Sequence, residues 1–268
     1  MMPLKEIPLV SILISAHNGE ATLDRCFESI QKQTFQNFSI VCVDDASSDK
    51  TPILLGQWEQ RFGKDRFTIL ANTRNKGLTQ SLNMGLQRIQ TTYTARIDID
   101  DWWDPTKLEK QIAFLDRHKE CGVLGSAYTN IGYGKQTPVF LPETDSLLKK
   151  YLFYRNPFAH SSVIFRTDLI KKFGGYDNAI RYGQDYELWL RVSAATTFAN
   201  IPEILCFRNA DSGISCSHQN AQMWQYIKTQ CRYIRKLRRS SLEYRFVIIP
   251  FLTILTPPFI RLWKRKWL

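Results

Sequence analysis

The 268-residue chain has no run of about 20 apolar residues, so its sequence offers no bilayer-spanning helix. Residues 1–8 include Lys5 and Glu6 and lead into an apolar run too short for a signal-peptide core, so no secretory leader is expected. The six cysteines, at 26, 42, 121, 206, 216 and 231, never stand in CxxC spacing, and most lie among apolar neighbours. They read as reduced thiols of a cytosolic protein, with neither a disulfide framework nor a zinc site. Acid is almost missing from residues 221–268, where eleven Lys and Arg face only Glu243 and carry +10 of the formal +11. The first 220 residues are left at +1, a balance that speaks against a nucleic-acid-binding body.

What the chain does contain is ordinary globular material, 44% hydrophobic and 23% charged, enough for one large α/β domain with an appendage. Residues 9–14, 38–43, 67–70 and 94–99 are short apolar runs, as expected of strands buried on both faces. Between them lie helical patterns, such as Leu23, Cys26, Phe27 and Ile30 at i, i+3, i+4 and i+7. This alternation predicts a mostly parallel sheet flanked by helices, with ligands beyond the carboxyl ends of the strands. Polar clusters fall at those ends: residues 15–18, 44–48 and 98–101.

The last cluster sits in residues 95–105, ARIDIDDWWDP. On an extended strand Asp98 and Asp100 share a face opposite Ile97 and Ile99, and Asp101 adds a carboxylate at the strand end. Carboxylates so close repel one another unless a cation joins them, and Mn²⁺ or Mg²⁺ suits an all-oxygen site completed by substrate phosphates. An acidic strand end or helix cap is the alternative.

The blocks VSILISAHNGEATLDRCFESI, FSIVCVDDASSDKT, NKGLTQSLNMGL and ARIDIDDWWDPTKLEKQ, followed by AHSSVIFRTDLIKKFGGYDNAIRYGQDYELWLRV, occur in order across about residues 8–210. In this they resemble the GT-A domain of family 2 inverting glycosyltransferases, which move sugar from nucleotide diphosphate sugars. The resemblance implies a Rossmann-like GT-A domain over residues 1–220. It places Ser15, His17 and Asn18 in the first-strand loop beside the nucleotide, with His17 where the family usually has an aromatic residue. Asp45 would accept from a uracil-type base, Lys76 and Gly77 would border the nucleotide, and Asp98 would lie near the ribose or metal. Asp100 would hold the metal bridging the diphosphate, with Asp101 sharing or orienting it. Asp185 aligns with the general base, although Gln184 replaces the usual preceding acid; a helix-capping role is the competing account. His160, which with Arg166 flanks an expected short strand over residues 161–165, is a candidate contact to acceptor or nucleotide, and Trp102 and Trp103 either stack on a sugar or fill the core.

Residues 221–268 read as a basic amphipathic extension. Lys228, Arg232, Arg235 and Arg239 share one helical face, and Trp224, Ile227, Cys231 and Ile234 an adjacent one. The apolar residues 246–260 are broken by Pro250, Pro257 and Pro258. These features suit a peripheral helix on the inner membrane face, where a lipid-linked glycan acceptor would be met. The competing expectations are a sugar-nucleotide binder without catalysis, and a nucleic-acid-binding protein or nucleotidyltransferase using the basic tail.

Overall fold

In the computed structural model, residues 8–211, 219–236 and 241–256 are described. Strands β1 (Val10–Ala16), β2 (Phe38–Asp44), β3 (Phe67–Ala71) and β4 (Tyr93–Arg96) form a parallel block in the order β3-β2-β1-β4. Helices α1 (Leu23–Gln31), α2 (Thr51–Phe62) and α3 (Leu78–Arg88) link them. Each crossover returns the chain in the same direction, so the loops after β1, β2 and β4 gather at one edge.

The sheet continues through β8 (Ile164–Arg166), β6 (Cys121–Gly132), β9 (Thr197–Asn209) and the two-residue β5 (Trp102–Trp103), while β7 (Lys135–Val139) pairs with β6. Helices α4 (Lys107–Arg117), α5 (Asp145–Tyr151), α6 (Thr167–Lys172) and α7 (Gln184–Val192) complete the body. Strand alternation divides the core between the two faces of the sheet. Ile12 and Ile14 meet Phe27, Trp58 and Leu108 from α1, α2 and α4; Leu13 packs with Leu82, Leu86 and Trp189 from α3 and α7. The ring of Phe27 lies 5.6 Å from Trp58 and 5.2 Å from Phe67, tying α1, α2 and β3 together.

Two segments differ from the sequence reading. The expected strand 94–99 ends at Arg96, because the ladder to β1 runs out at Leu13↔Arg96. The Asp98 N–H then donates to Ser161 Oγ at 3.0 Å, and the Asp101 N–H to the Asp98 carbonyl at 3.1 Å, making a turn. The expected strand 161–165 opens instead as a 3₁₀ turn, His160–Ser162, and only then becomes β8, which runs antiparallel between β4 and β6.

Helix α8 (Gln219–Lys236) packs on α7. Tyr233 and Ile234 are buried, as are Thr229 and Gln230, whereas Trp224 is exposed. The Tyr233 hydroxyl donates to Glu187 Oε1 at 2.6 Å and Gln230 Nε2 to the Phe153 carbonyl at 3.0 Å. Helix α9 (Ile248–Leu255) follows, and no described helix is long and apolar enough to cross a membrane. Cys26, Cys42, Cys121, Cys206 and Cys231 are unpaired; Cys216 and Arg239 lie outside the described residues.

Candidate active site

Two loops at the carboxyl edge are stitched to each other before any ligand is considered. Asn18 Oδ1 accepts the Ser48 N–H at 2.8 Å, the Asn18 N–H donates to Ser47 Oγ at 3.0 Å, and the Gly19 N–H donates to Thr51 Oγ1 at 2.8 Å. This network holds Asn18 (φ 50°) and Ala46 (φ 57°) in the left-handed region, which non-glycine residues enter at a cost. Exposed His17 joins it through Nδ1, 2.9 Å from the Asp45 carbonyl oxygen, and Ser15 is buried at the end of β1.

Asp45 is the hub of the third loop. Its Oδ1 accepts from Asn72 Nδ2 at 2.7 Å and the Lys76 N–H at 2.8 Å, and its Oδ2 from the Gly77 N–H at 2.7 Å. Three of the roughly four acceptor positions of a carboxylate are thus filled by the protein. The Lys76-Gly77 loop is therefore shaped by Asp45, and the expected base contact has one lone pair left to it. Gly77 (φ 88°) supplies the turn into α3.

The three carboxylates after β4 take different environments. Asp98 receives the fully buried Arg96 on Oδ1 and lies 3.2 Å from Ser161 Oγ through Oδ2, with 32% of its side chain exposed. Burial pushes its carboxyl up, but Arg96 overcomes this and holds it below the usual carboxylate range. Asp101 is buried; Oδ1 accepts the Asn209 N–H at 2.9 Å, and Oδ2 bonds the Ser161 hydroxyl. Burial and the charge of Asp100 push it up to about 7. Asp100, between them, takes the Arg25 guanidinium on its backbone carbonyl at 3.2 Å, but its carboxylate accepts no hydrogen bond from another described residue, and burial and Asp98 push it up to about 6.

The three carboxylates are not equally available. Asp101 is committed to the protein, and among the described residues no three His, Cys, Asp or Glu side chains converge as a metal-binding set. The Asp100 carboxylate is left free, with the open part of Asp98 beside it. Two carboxylates and outside oxygens fit a divalent ion of the Mn²⁺ or Mg²⁺ kind, and the raised Asp100 marks negative charge that a cation would relieve.

Asp185 lies in the first turn of α7. Gly183 (φ 68°) starts that helix, and a Cβ there would stand 2.3 Å from the Tyr226 ring, so α8 presses directly on the base of this turn. Asp185 Oδ2 accepts from Asn156 Nδ2 at 2.7 Å. Burial raises its pKa above the usual value, and the charges of Asp98 and Arg208 both reach it.

The remaining candidates resolve into support. His160 is buried with Nε2 2.9 Å from the Tyr176 hydroxyl, and burial lowers its pKa to about 3, so it is a neutral brace. Trp103 fills the core and donates Nε1–H to the Ser161 carbonyl at 2.7 Å. Trp102 stacks on Phe207 at 5.7 Å and carries the Arg25 guanidinium 3.6 Å from its ring centroid, so its stacking surface is already in use. Arg96, Ser161, Asn156, Tyr176 and Arg208 were not singled out from the sequence. Arg96 could have been, because it lies two residues before Asp98 and shares its side of an extended strand.

Comparison with known proteins agrees with this architecture. The glycosyl transferase family 2 model matches residues 11–173, more than half of the chain. An amylovoran biosynthesis glycosyltransferase, AmsE of Erwinia amylovora, is 32% identical over 232 residues, covering 85% of either chain. The structure of S. aureus TarS 1-349 in complex with UDP-GlcNAc superposes with a TM-score of 0.71 at 18% identity, over 89% of this chain and 70% of that one. A mannosyltransferase from Pyrobaculum calidifontis, PcManGT, in complex with GDP-Man and Mn²⁺, gives 0.64 at 15% identity, over 93% and 70%. The last two show the GT-A fold. The matched family model, together with a relative 32% identical over 85% of either chain, makes this chain a member of glycosyl transferase family 2, and thus a glycosyltransferase.

Proposed function

We propose that the protein is an inverting, metal-dependent transferase that moves a sugar from a UDP-linked donor to a hydroxyl of a glycan or lipid-linked acceptor. The observation carrying this reading is the free Asp100 carboxylate beside the open part of Asp98 at the carboxyl edge of the sheet, next to the loops stitched by Asn18 and Asp45; the charge of Asp98 also reaches Asp185 of α7. In a single displacement the acceptor oxygen attacks the anomeric carbon from the face opposite the leaving phosphate. The acceptor proton passes to a carboxylate, and a raised pKa improves that base. Asp185 takes this role, with Asn156 holding Oδ2 and the Tyr186 N–H also bonding the carboxylate, so that its orientation is fixed. Ser15, His17, Asn18, Asp45, Lys76 and Gly77 form the nucleotide side, and Asp98 borders both ribose and metal. A divalent ion bound at Asp100 and Asp98 would supply positive charge to the departing diphosphate.

The test is binding followed by turnover. UDP with Mn²⁺ at about 100 times Kd should stabilise the fold by about 2.7 kcal/mol, or several degrees of melting temperature. EDTA should remove the shift and the transfer. A protein whose melting temperature ignores UDP, GDP and their sugars with Mn²⁺ present would not fit the reading.

The exposed side chains of α8 and α9 support an acceptor met at the cytoplasmic face of the inner membrane. On α9, Ile248, Phe251, Leu252 and Leu255 are exposed, and Phe251 meets exposed Trp224 edge-on at 6.4 Å. Exposed Lys228, Arg232 and Arg245 lie on the neighbouring helical turns. Apolar side chains flanked by bases suit an anionic leaflet. Deleting residues 221–268 would strip Tyr233 and Ile234 from the core, so substitution is the cleaner test. Phe251→Glu with Leu255→Glu should lose flotation with phosphatidylglycerol vesicles and keep the parent melting temperature; flotation equal to the parent would sink the membrane assignment.

A further inference from the structure

Among the described residues, Arg208 has a charge that reaches Asp98, Asp100, Asp101 and Asp185 alike. Its position follows from strand pairing. β5 pairs antiparallel with the end of β9, Trp102↔Phe207 and Trp103↔Cys206, which docks the carboxylate turn against residues 207–209. The Asn209 N–H secures that dock on Asp101, and the next side chain back along β9 is Arg208. Its Nε stands 3.9 Å from Asp101 Oδ2, too far for a hydrogen bond, and 31% of the side chain is exposed. The Tyr128 ring lies 5.4 Å from the guanidinium and limits its swing. Arg96, by contrast, is fully buried and bonded to Asp98.

A guanidinium that is held in place, partly open and bonded to no nearby carboxylate is a ready fork for phosphate oxygens. We infer that Arg208 binds the distal phosphate of the donor diphosphate, opposite the metal carboxylates, and receives charge as the sugar leaves. This deepens the transferase reading and rests on it. In the step, the acceptor oxygen bonds to the anomeric carbon while the bond from that carbon to the distal phosphate oxygen breaks. The electron pair goes to that oxygen, the acceptor proton to Asp185, and Arg208 stabilises the new phosphate charge.

The experiment titrates uridine, UMP and UDP, each with Mn²⁺, into the full chain and its Arg208→Ala and Arg208→Lys variants, following tryptophan fluorescence and melting temperature. Hydrogen bonds to charged groups are worth about 1.5–3 kcal/mol, so Arg208→Ala should weaken UDP by about 10- to 100-fold and UMP by less than about twofold. Arg208→Lys keeps the charge without the fork and should fall between. It also serves as the readout if the alanine variant does not fold. Equal weakening of uridine, UMP and UDP would reassign Arg208 to packing, and unchanged UDP affinity would remove it from the donor site. A parent protein that binds none of the three would instead overturn the transferase reading itself.

Discussion

Asp185→Asn should lower the rate of sugar transfer by about 10²- to 10⁴-fold, the usual contribution of a general base, while UDP affinity stays close to the parent value. The change keeps shape and volume and removes only the ability to take a proton. A second readout separates the base from a helix cap. Asp185 sits in the first turn of α7, where a carboxylate that merely caps would stabilise the helix, and its loss would lower stability by about 1 kcal/mol. Burial, however, raises its folded pKa, so above that pKa the charged form costs stability in the native state. At pH 7 the Asn variant should therefore melt at or above the parent temperature, with the gap closing as pH falls and the parent carboxyl takes up its proton. The parent kcat/KM should fall over the same acidic range. A variant that turns over as fast as the parent, or that is plainly destabilised at pH 7, would return Asp185 to a structural role.

The part of the chain that was legible is the part built by local repetition. β1 to β4 are apolar runs joined by helices of period 3.6, and such units close right-handed on one sheet with little choice left. The loops at their ends were placed correctly for the same reason. What the sequence did not disclose depends on pairing between distant segments. β6 and β9 are parallel neighbours without a short crossover pattern of their own, and β8 slips between β4 and β6 in the reverse direction. Strand alternation put Asp98 and Asp100 on a common face, yet Ser161 ended the strand by capturing the Asp98 N–H. Asp45 illustrates the other limit. Its motif marks a polar loop, but that its oxygens face Asn72, Lys76 and Gly77 emerges only when β3 and α3 come alongside. Arg208 lies at the end of β9, and its relation to the carboxylates exists only through the β5–β9 pairing.

Arg96→Met should cost about 3 kcal/mol of stability near pH 8, the scale seen when one member of a buried ion pair is removed. Arg96 is wholly enclosed at the end of β4, bonded to Asp98 Oδ1, while its Nε and Nη1 find no partner among the described residues. Unbonded buried donors are a liability. The guanidinium must therefore offset something larger, and Asp98, Asp101 and the Tyr176 hydroxyl are the groups whose charge it senses. Methionine fills similar volume, so the loss comes from charge and not from a cavity. In the parent, Arg96 holds the Asp98 pKa below its ordinary value; Asp98 then adds stability above pH 4 or so that disappears on acidification. In the variant, burial loses its main opponent and only weaker ones such as Arg208 remain, so that pKa rises and the cost appears as pH rises and Asp98 ionises. Urea melts should accordingly show a large deficit at pH 8 and a much smaller one at pH 5. Adding Asp98→Asn to Arg96→Met should restore most of the stability and none of the UDP binding. A deficit that is the same at both pH values, and that the second substitution does not repair, would mean that Arg96 acts through packing and that the carboxylate turn does not depend on its charge.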